Sequence, residues 1–157
     1  LSIELRVIFL MREPVRRIES MIKMRLRRAG VLDDMSIEEL MERVRAGSGS
    51  QTDRIRASYR DTVGRIRSCF DESQIHLGFY ETMFESEEIK RLSSFLNVDP
   101  AGFDIDKKVN STSQSYKYPT EFIAELKENY ADNYDFAINE LNLPKGVWDA
   151  ALSKVTA

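Results

Sequence analysis

The sequence predicts a helix-rich α/β fold with parallel strands, and three observations lead there. Leu5-Arg6-Val7-Ile8-Phe9-Leu10-Met11 is an almost unbroken apolar run, which fits a strand buried on both faces of a parallel sheet. Gln74–Tyr80 is a second run of strand character. Most of the remaining chain places apolar residues at helical spacing, with charged residues between them.

Taken in order, the first strand stops at Arg12-Glu13-Pro14, where proline fits the first turn of a helix because its missing N–H is not needed there. Val15, Ile18, Met21, Ile22 and Met24 continue as a helix, which Gly30 closes. Ser36-Ile37-Glu38-Glu39 is a capping box and opens a helix facing inward with Ile37, Leu40, Met41 and Val44. Gly47-Ser48-Gly49-Ser50 is expected to be a flexible loop. One long helix is expected from about Asp53, carrying Ile55, Tyr59, Val63, Ile66 and Phe70. After the second strand, Ser86 is expected to cap a helix with Glu87 and Glu88 in its first turn and Ile89, Leu92 and Leu96 inward, ended by Asp99-Pro100. Residues 104–118 are polar and irregular, and Pro119 starts a last long helix burying Phe122, Leu126, Tyr130, Tyr134, Ile138 and Leu141. Two strands make a poor sheet by themselves, so a partner strand is expected from elsewhere.

A chain of 157 residues with 42% hydrophobic content is long enough for one sizeable core, and no repeat or linker divides it, so residues 1–157 are expected to form a single domain. The net charge of −3 gives no general pull toward nucleic acid or an acidic membrane surface. The charge is uneven, however. Residues 1–28 hold eight basic side chains against three acids, a local cationic patch suited to a small anion. With Cys69 and His76 each alone of their kind, an internal disulfide and a Cys/His zinc site are both excluded. His76 lies inside strand-like sequence and is expected to be structural. No apolar segment is long enough to span a bilayer and no signal-peptide pattern is present.

Arg12 is the residue of most chemical interest. It sits at the carboxyl end of a strand and before a helix, where open α/β sheets bind ligands and where a helix offers unpaired amides and a positive dipole end. A guanidinium grips phosphate through two parallel hydrogen bonds. Ser20 follows eight residues later on the helix face of Arg16 and Lys23, and Pro14 to Ser20 spans roughly 9 Å of helix. Two readings fit this spacing. In one, Arg12 and Ser20 bind a phosphate; in the other, Arg12 pairs with Glu13 or Glu81 and Ser20 is ordinary helix surface.

The stretch Val7-Ile8-Phe9-Leu10-Met11-Arg12-Glu13-Pro14 through Ser20 resembles the 3′-phosphate-binding signature of sulfotransferases that use 3′-phosphoadenosine 5′-phosphosulfate (PAPS). Leu77-Gly78-Phe79-Tyr80-Glu81 with Phe84, then Phe95-Leu96-Asn97-Val98, then Val109-Asn110 with Ser115, Lys117 and Pro119, resemble later family segments in the same order, and Trp148 resembles the family's closing helix. The resemblance implies that Arg12 and Ser20 bind the 3′-phosphate, that Tyr80 lies near the adenine, and that Ser115 and Lys117 close on the phosphates. The alternatives are a core aromatic for Tyr80 and a solvated loop for Ser115 and Lys117. Tyr59 is expected to be core and Glu81 a buried structural carboxylate. Arg25, Arg27 and Arg28 either meet an anionic acceptor or form a solvated face.

By the same resemblance, the fold is a partial P-loop-type sulfotransferase fold whose N-terminal phosphate-loop half is missing, this chain being the C-terminal part of the domain. Gly47-Ser48-Gly49-Ser50 follows no strand and lacks a Gly-Lys-Ser/Thr end, so it is no phosphate loop. Neither the 5′-phosphosulfate loop nor a catalytic base is found, and the chain alone is expected to be inactive. The implied reaction moves a sulfuryl group from PAPS to a hydroxyl or amine of a small-molecule or carbohydrate acceptor, leaving adenosine 3′,5′-bisphosphate (PAP). The implied partners include the missing half and exclude nucleic acid. The compartment implied is cytoplasmic, or the Golgi lumen if an anchor precedes the chain. The competing class is a non-catalytic helical interaction module whose basic first helix binds an acidic partner.

Overall fold

The computed structural model describes residues 5–100 and 116–157. In chain order its elements are β1 (Val7–Met11), α1 (Pro14–Arg28), α2 (Ile37–Gly49), α3 (Gln51–Ala57), α4 (Tyr59–Cys69), β2 (Ile75–Phe79), α5 (Ser86–Leu96), α6 (Thr120–Glu128), α7 (Ala131–Asp135) and α8 (Val147–Ser153). The result is helix-rich α/β, as the apolar patterning predicts. The chain forms two compact units, Leu1–Arg12 with Asp61–Gln114 and Glu13–Arg60 with Ser115–Ala157.

The first unit is built on the sheet. β1 and β2 pair in parallel with Val7 opposite Ile75 and Met11 opposite Phe79, and the Tyr80 N–H continues the ladder to the Met11 carbonyl at 2.7 Å. Met11 is fully buried, but Ile8 and Leu10 remain 42% and 38% exposed. The expected burial of β1 on both faces is therefore not met: α5 packs over β2 on the face that these two residues share and leaves their side chains part-exposed. His76 is buried, with Nε2 2.9 Å from Glu88 Oε1 and its ring 5.3 Å from that of Phe95, which makes it structural as expected. A side chain at Gly78 would put its Cβ 2.9 Å from both Glu88 Oε1 and Leu10 Cδ2, so glycine is what lets Glu88 reach His76. α5 starts at Ser86 itself, so its capping position lies one residue earlier than expected, at Glu85, and the helix ends at Asn97 in the left-handed conformation (φ 56).

The second unit is a helical core around α1. Val15, Ile18 and Ile22 pack with Leu40 and Val44 of α2 and Leu126 of α6. The capping box at Ser36 forms as expected, its Oγ accepting from the Glu39 N–H at 3.2 Å and the Glu39 carboxylate accepting from the Ser36 N–H at 2.8 Å. Three expectations fail here for tertiary reasons. Gly47, Ser48 and Gly49 are the last turn of α2 rather than a loop. A Cβ at Gly47 would stand 2.8 Å from Ile22 Cδ1, so the small residue admits α1, and buried Ser48 donates to the Arg45 carbonyl at 2.8 Å. The long helix expected from Asp53 breaks at Ser58, whose ψ of 93 is extended. The Tyr59 N–H then turns to Asn133 Oδ1 at 3.1 Å, and Ile55 is left 60% exposed while Tyr59 and Val63 are buried. The last long helix is likewise interrupted at Tyr130 (φ −122, ψ 19) and resumes as α7 and a π-helical turn, Phe136–Glu140. Of the irregular segment 104–118, residues 104–115 lie outside the described residues, and Tyr118 forms a parallel bridge with Thr156.

Candidate functional site

In the first unit, the register Met11–Phe79 means that Arg12 and Tyr80 leave the carboxyl end of the sheet side by side. The Arg12 guanidinium carbon stands 4.7 Å from the Tyr80 ring centroid, a cation–π contact that contributes about 0.5–1 kcal/mol at an exposed site. Tyr80 is 46% exposed, so it is a surface ring and not a core aromatic. Glu81 is half-buried.

In the second unit, the start of α1 differs from expectation. Pro14 has no N–H to offer. The Glu13 carboxylate, wholly buried, accepts from the N–H groups of Val15 at 3.2 Å and Arg16 at 2.6 Å, and the Arg17 N–H reaches the Glu13 carbonyl at 2.9 Å. The expected unpaired amides are thus already satisfied by the chain's own carboxylate, which also complements the positive end of the helix. Glu13 further accepts from the Tyr134 hydroxyl. Burial, and then the charge of Glu13, push the Tyr134 phenol far above its ordinary value.

Ser20 is exposed on α1. Its expected companions Arg16 and Lys23 both turn to the residue beside it, Glu19, which is only 4% exposed. Arg16 Nη1 lies 2.6 Å from Glu19 Oε2, and Lys23 Nζ lies 3.2 Å from Glu19 Oε1. The Tyr118 hydroxyl donates to the same Oε1 at 3.1 Å, and burial followed by the Glu19 charge raises the Tyr118 phenol well above its ordinary range. Lys23 also stands 4.6 Å over the Tyr116 ring. Lys117 is exposed and its Nζ donates to the Thr156 carbonyl at 3.3 Å. Ser115 lies outside the described residues.

Sequence reasoning missed the roles of Glu13 and Glu19. The signals were present: Glu13 precedes a proline at the first helical position, and Glu19 stands four residues after Val15, on the stripe that Val15, Ile18 and Ile22 define. Tyr59 is core, 2% exposed and 6.4 Å from the Trp148 ring. Arg25 pairs with buried Asp53 through contacts of 3.2 and 3.3 Å, while Arg27 and Arg28 are exposed at the carboxyl end of α1, where cations suit the helix dipole. Among the described residues, no group of three or more His, Cys, Asp or Glu side chains is arranged to hold a metal ion. No described helix is long and apolar enough to cross a membrane.

Residues 1–135 match the family model for the sulfotransferase domain, most of the chain, and the protein belongs to that family. Its class is accordingly that of a transferase, with sulfuryl transfer the family's general reaction. No curated protein and no solved structure matches the chain.

Proposed function

We propose that this chain supplies the 3′-phosphate side of a PAPS-dependent sulfotransferase that transfers a sulfuryl group to a hydroxyl or amine of a small-molecule or carbohydrate acceptor. The observation that carries this reading is Arg12, delivered by β1 to the carboxyl end of a parallel pair and stacked on the exposed ring of Tyr80. A stacked guanidinium keeps its N–H donors in the plane of the group, the geometry that recognises phosphate in a bidentate manner.

The roles follow the motif residue by residue. Arg12 and Ser20 bind the 3′-phosphate that distinguishes PAPS and PAP from ordinary adenine nucleotides. Tyr80 offers the adenine an exposed aromatic surface, and Ser115 and Lys117 close on the phosphates. Because Glu13 already occupies the first amides of α1, the phosphate charge is met by side chains, Arg12 foremost. The Gly-rich 5′-phosphosulfate loop and the base that activates the acceptor belong to a half of the domain outside residues 1–157, and the isolated chain binds nucleotide without turning it over.

The interaction-module reading asks for a cationic first helix available to an acidic partner. Three of that helix's cations, Arg16, Lys23 and Arg25, are instead committed to Glu19 and Asp53, which favours the enzyme reading. Calorimetry on the full-length protein tests it. The parent is expected to prefer PAP over adenosine 5′-monophosphate, and Arg12→Ala to lose roughly 10–100-fold in PAP affinity together with that preference, the worth of a charge-assisted pair of hydrogen bonds. Unchanged PAP affinity in a variant with the parent's circular dichroism overturns the reading.

A further inference from the structure

We propose that Glu19 and Tyr118 are positioning residues whose hydrogen bond sets the Lys117 segment in register with Ser20. The inference rests on the nucleotide reading above and deepens it. Each member of the bond is covalently next to a proposed phosphate ligand: Glu19 precedes Ser20, and Tyr118 follows Lys117. The 3.1 Å contact from the Tyr118 hydroxyl to Glu19 Oε1 therefore joins the helix side of the site to its loop side.

Burial alone does not call for this bond. A carboxylate 4% exposed within a helical core is costly unless it is paired, and an aliphatic residue at position 19 would extend the stripe of Val15, Ile18 and Ile22. A phenylalanine at 118 would fill nearly the same space and keep the ring contact with Phe122, 5.5 Å between centroids. What the polar pair adds is direction. Arg16 and Lys23 hold the Glu19 carboxylate from either side of Ser20, so its one bond to Tyr118 has a fixed origin. At the other end, the Tyr118 N–H reaches the Val155 carbonyl at 2.7 Å and its carbonyl accepts from the Ala157 N–H at 2.8 Å. Residue 118 is thus held at its amide, its carbonyl and its hydroxyl, which leaves the adjoining Lys117 little positional freedom relative to α1. Ligands held by such supporting bonds lose less entropy when they engage a phosphate.

The test is a double-mutant cycle on PAP affinity in the full-length protein. Tyr118→Phe removes only the hydroxyl, and Glu19→Asp keeps the charge while drawing the carboxylate back from Tyr118. Each is expected to weaken PAP several-fold, because a bond that places Lys117 can forfeit no more than what Lys117 contributes. Lys117→Ala is expected to cost several-fold in the parent and less than about twofold in either background, a non-additivity that a purely structural role would not produce. Parent-like binding by both Tyr118→Phe and Glu19→Asp, or an equal Lys117→Ala penalty on every background, overturns the proposal. Arg12→Ala, run alongside, separates the two failures. If Arg12→Ala loses PAP and the cycle is additive, only the register device falls; if Arg12→Ala binds as the parent does, the nucleotide reading falls and takes this one with it.

Discussion

Glu13→Ala isolates what the buried carboxylate at the start of α1 contributes. The substitution strips the Val15 and Arg16 N–H groups of their acceptor, and loss of such a cap costs about 1 kcal/mol. It also leaves the Tyr134 hydroxyl without the Glu13 oxygen in a buried setting, which adds about 1–3 kcal/mol. The expected total is about 2–4 kcal/mol, or a fall of roughly 5–15 °C in melting temperature for a domain of this size. Thermal and urea unfolding followed by circular dichroism measure it. Tyr134→Phe should cost less, and combining it with Glu13→Ala should recover about 1–2 kcal/mol of coupling, because the orphaned hydroxyl is then gone. Unfolding of Glu13→Ala within about 0.5 kcal/mol of the parent would show that the carboxylate neither caps the helix nor serves the tyrosine, and the account of how α1 begins would have to be abandoned.

Alkaline pH should destabilise the chain in a defined direction. Burial raises the phenols of Tyr118 and Tyr134, and pushes Tyr130 up to about 12. Unfolded tyrosines ionise near pH 10 while these stay protonated, so their contribution is intact below about pH 10 and is lost above it at about 1.4 kcal/mol per pH unit for each. Urea midpoints between pH 8 and 11.5 report this, and Tyr118→Phe should flatten the decline; a midpoint insensitive to pH above 10 contradicts the burial of these hydroxyls. Two glycines should respond with opposite signs. Gly64 lies inside α4 with nothing within 4 Å of an added Cβ, so Gly64→Ala should stabilise by about 0.5–1 kcal/mol. Gly78→Ala would crowd Glu88 and Leu10 at 2.9 Å and should destabilise by about 1–3 kcal/mol, with equilibrium unfolding of both variants as the check.

The sequence revealed those parts of the fold that local chemistry decides. The two strands, the run of α1 from Pro14 to Gly30, and the capping box at Ser36 follow from residues a few positions apart, and each is found where expected. Gly47 could not be recognised as a helix residue without knowing that Ile22 occupies the space beside it. Nor did anything near Ser58 announce a break whose amide partner, Asn133, lies 74 residues onward. The site divides the same way. Arg12 is legible because a cation ending an apolar strand is conspicuous, and the resemblance drawn from it agrees with the family match. Glu13 and Glu19 look like two more acids in a charged sequence until tertiary structure shows both carboxylates buried. Tyr80 needed the strand register to bring it against Arg12.

The second unit is assembled from residues 13–60 and 115–157, with the first unit's main segment encoded between them. Glu13 meets Tyr134, Glu19 meets Tyr118, and the Tyr59 amide meets Asn133, each across that interval. A ribosome that has translated only as far as residue 100 has therefore made every carboxylate of this set and none of its tyrosine partners. At about 5–20 residues per second, several seconds pass before the partners emerge. During that time α1 holds its acids without their phenols, and its carboxylates wait for the segment that completes their core.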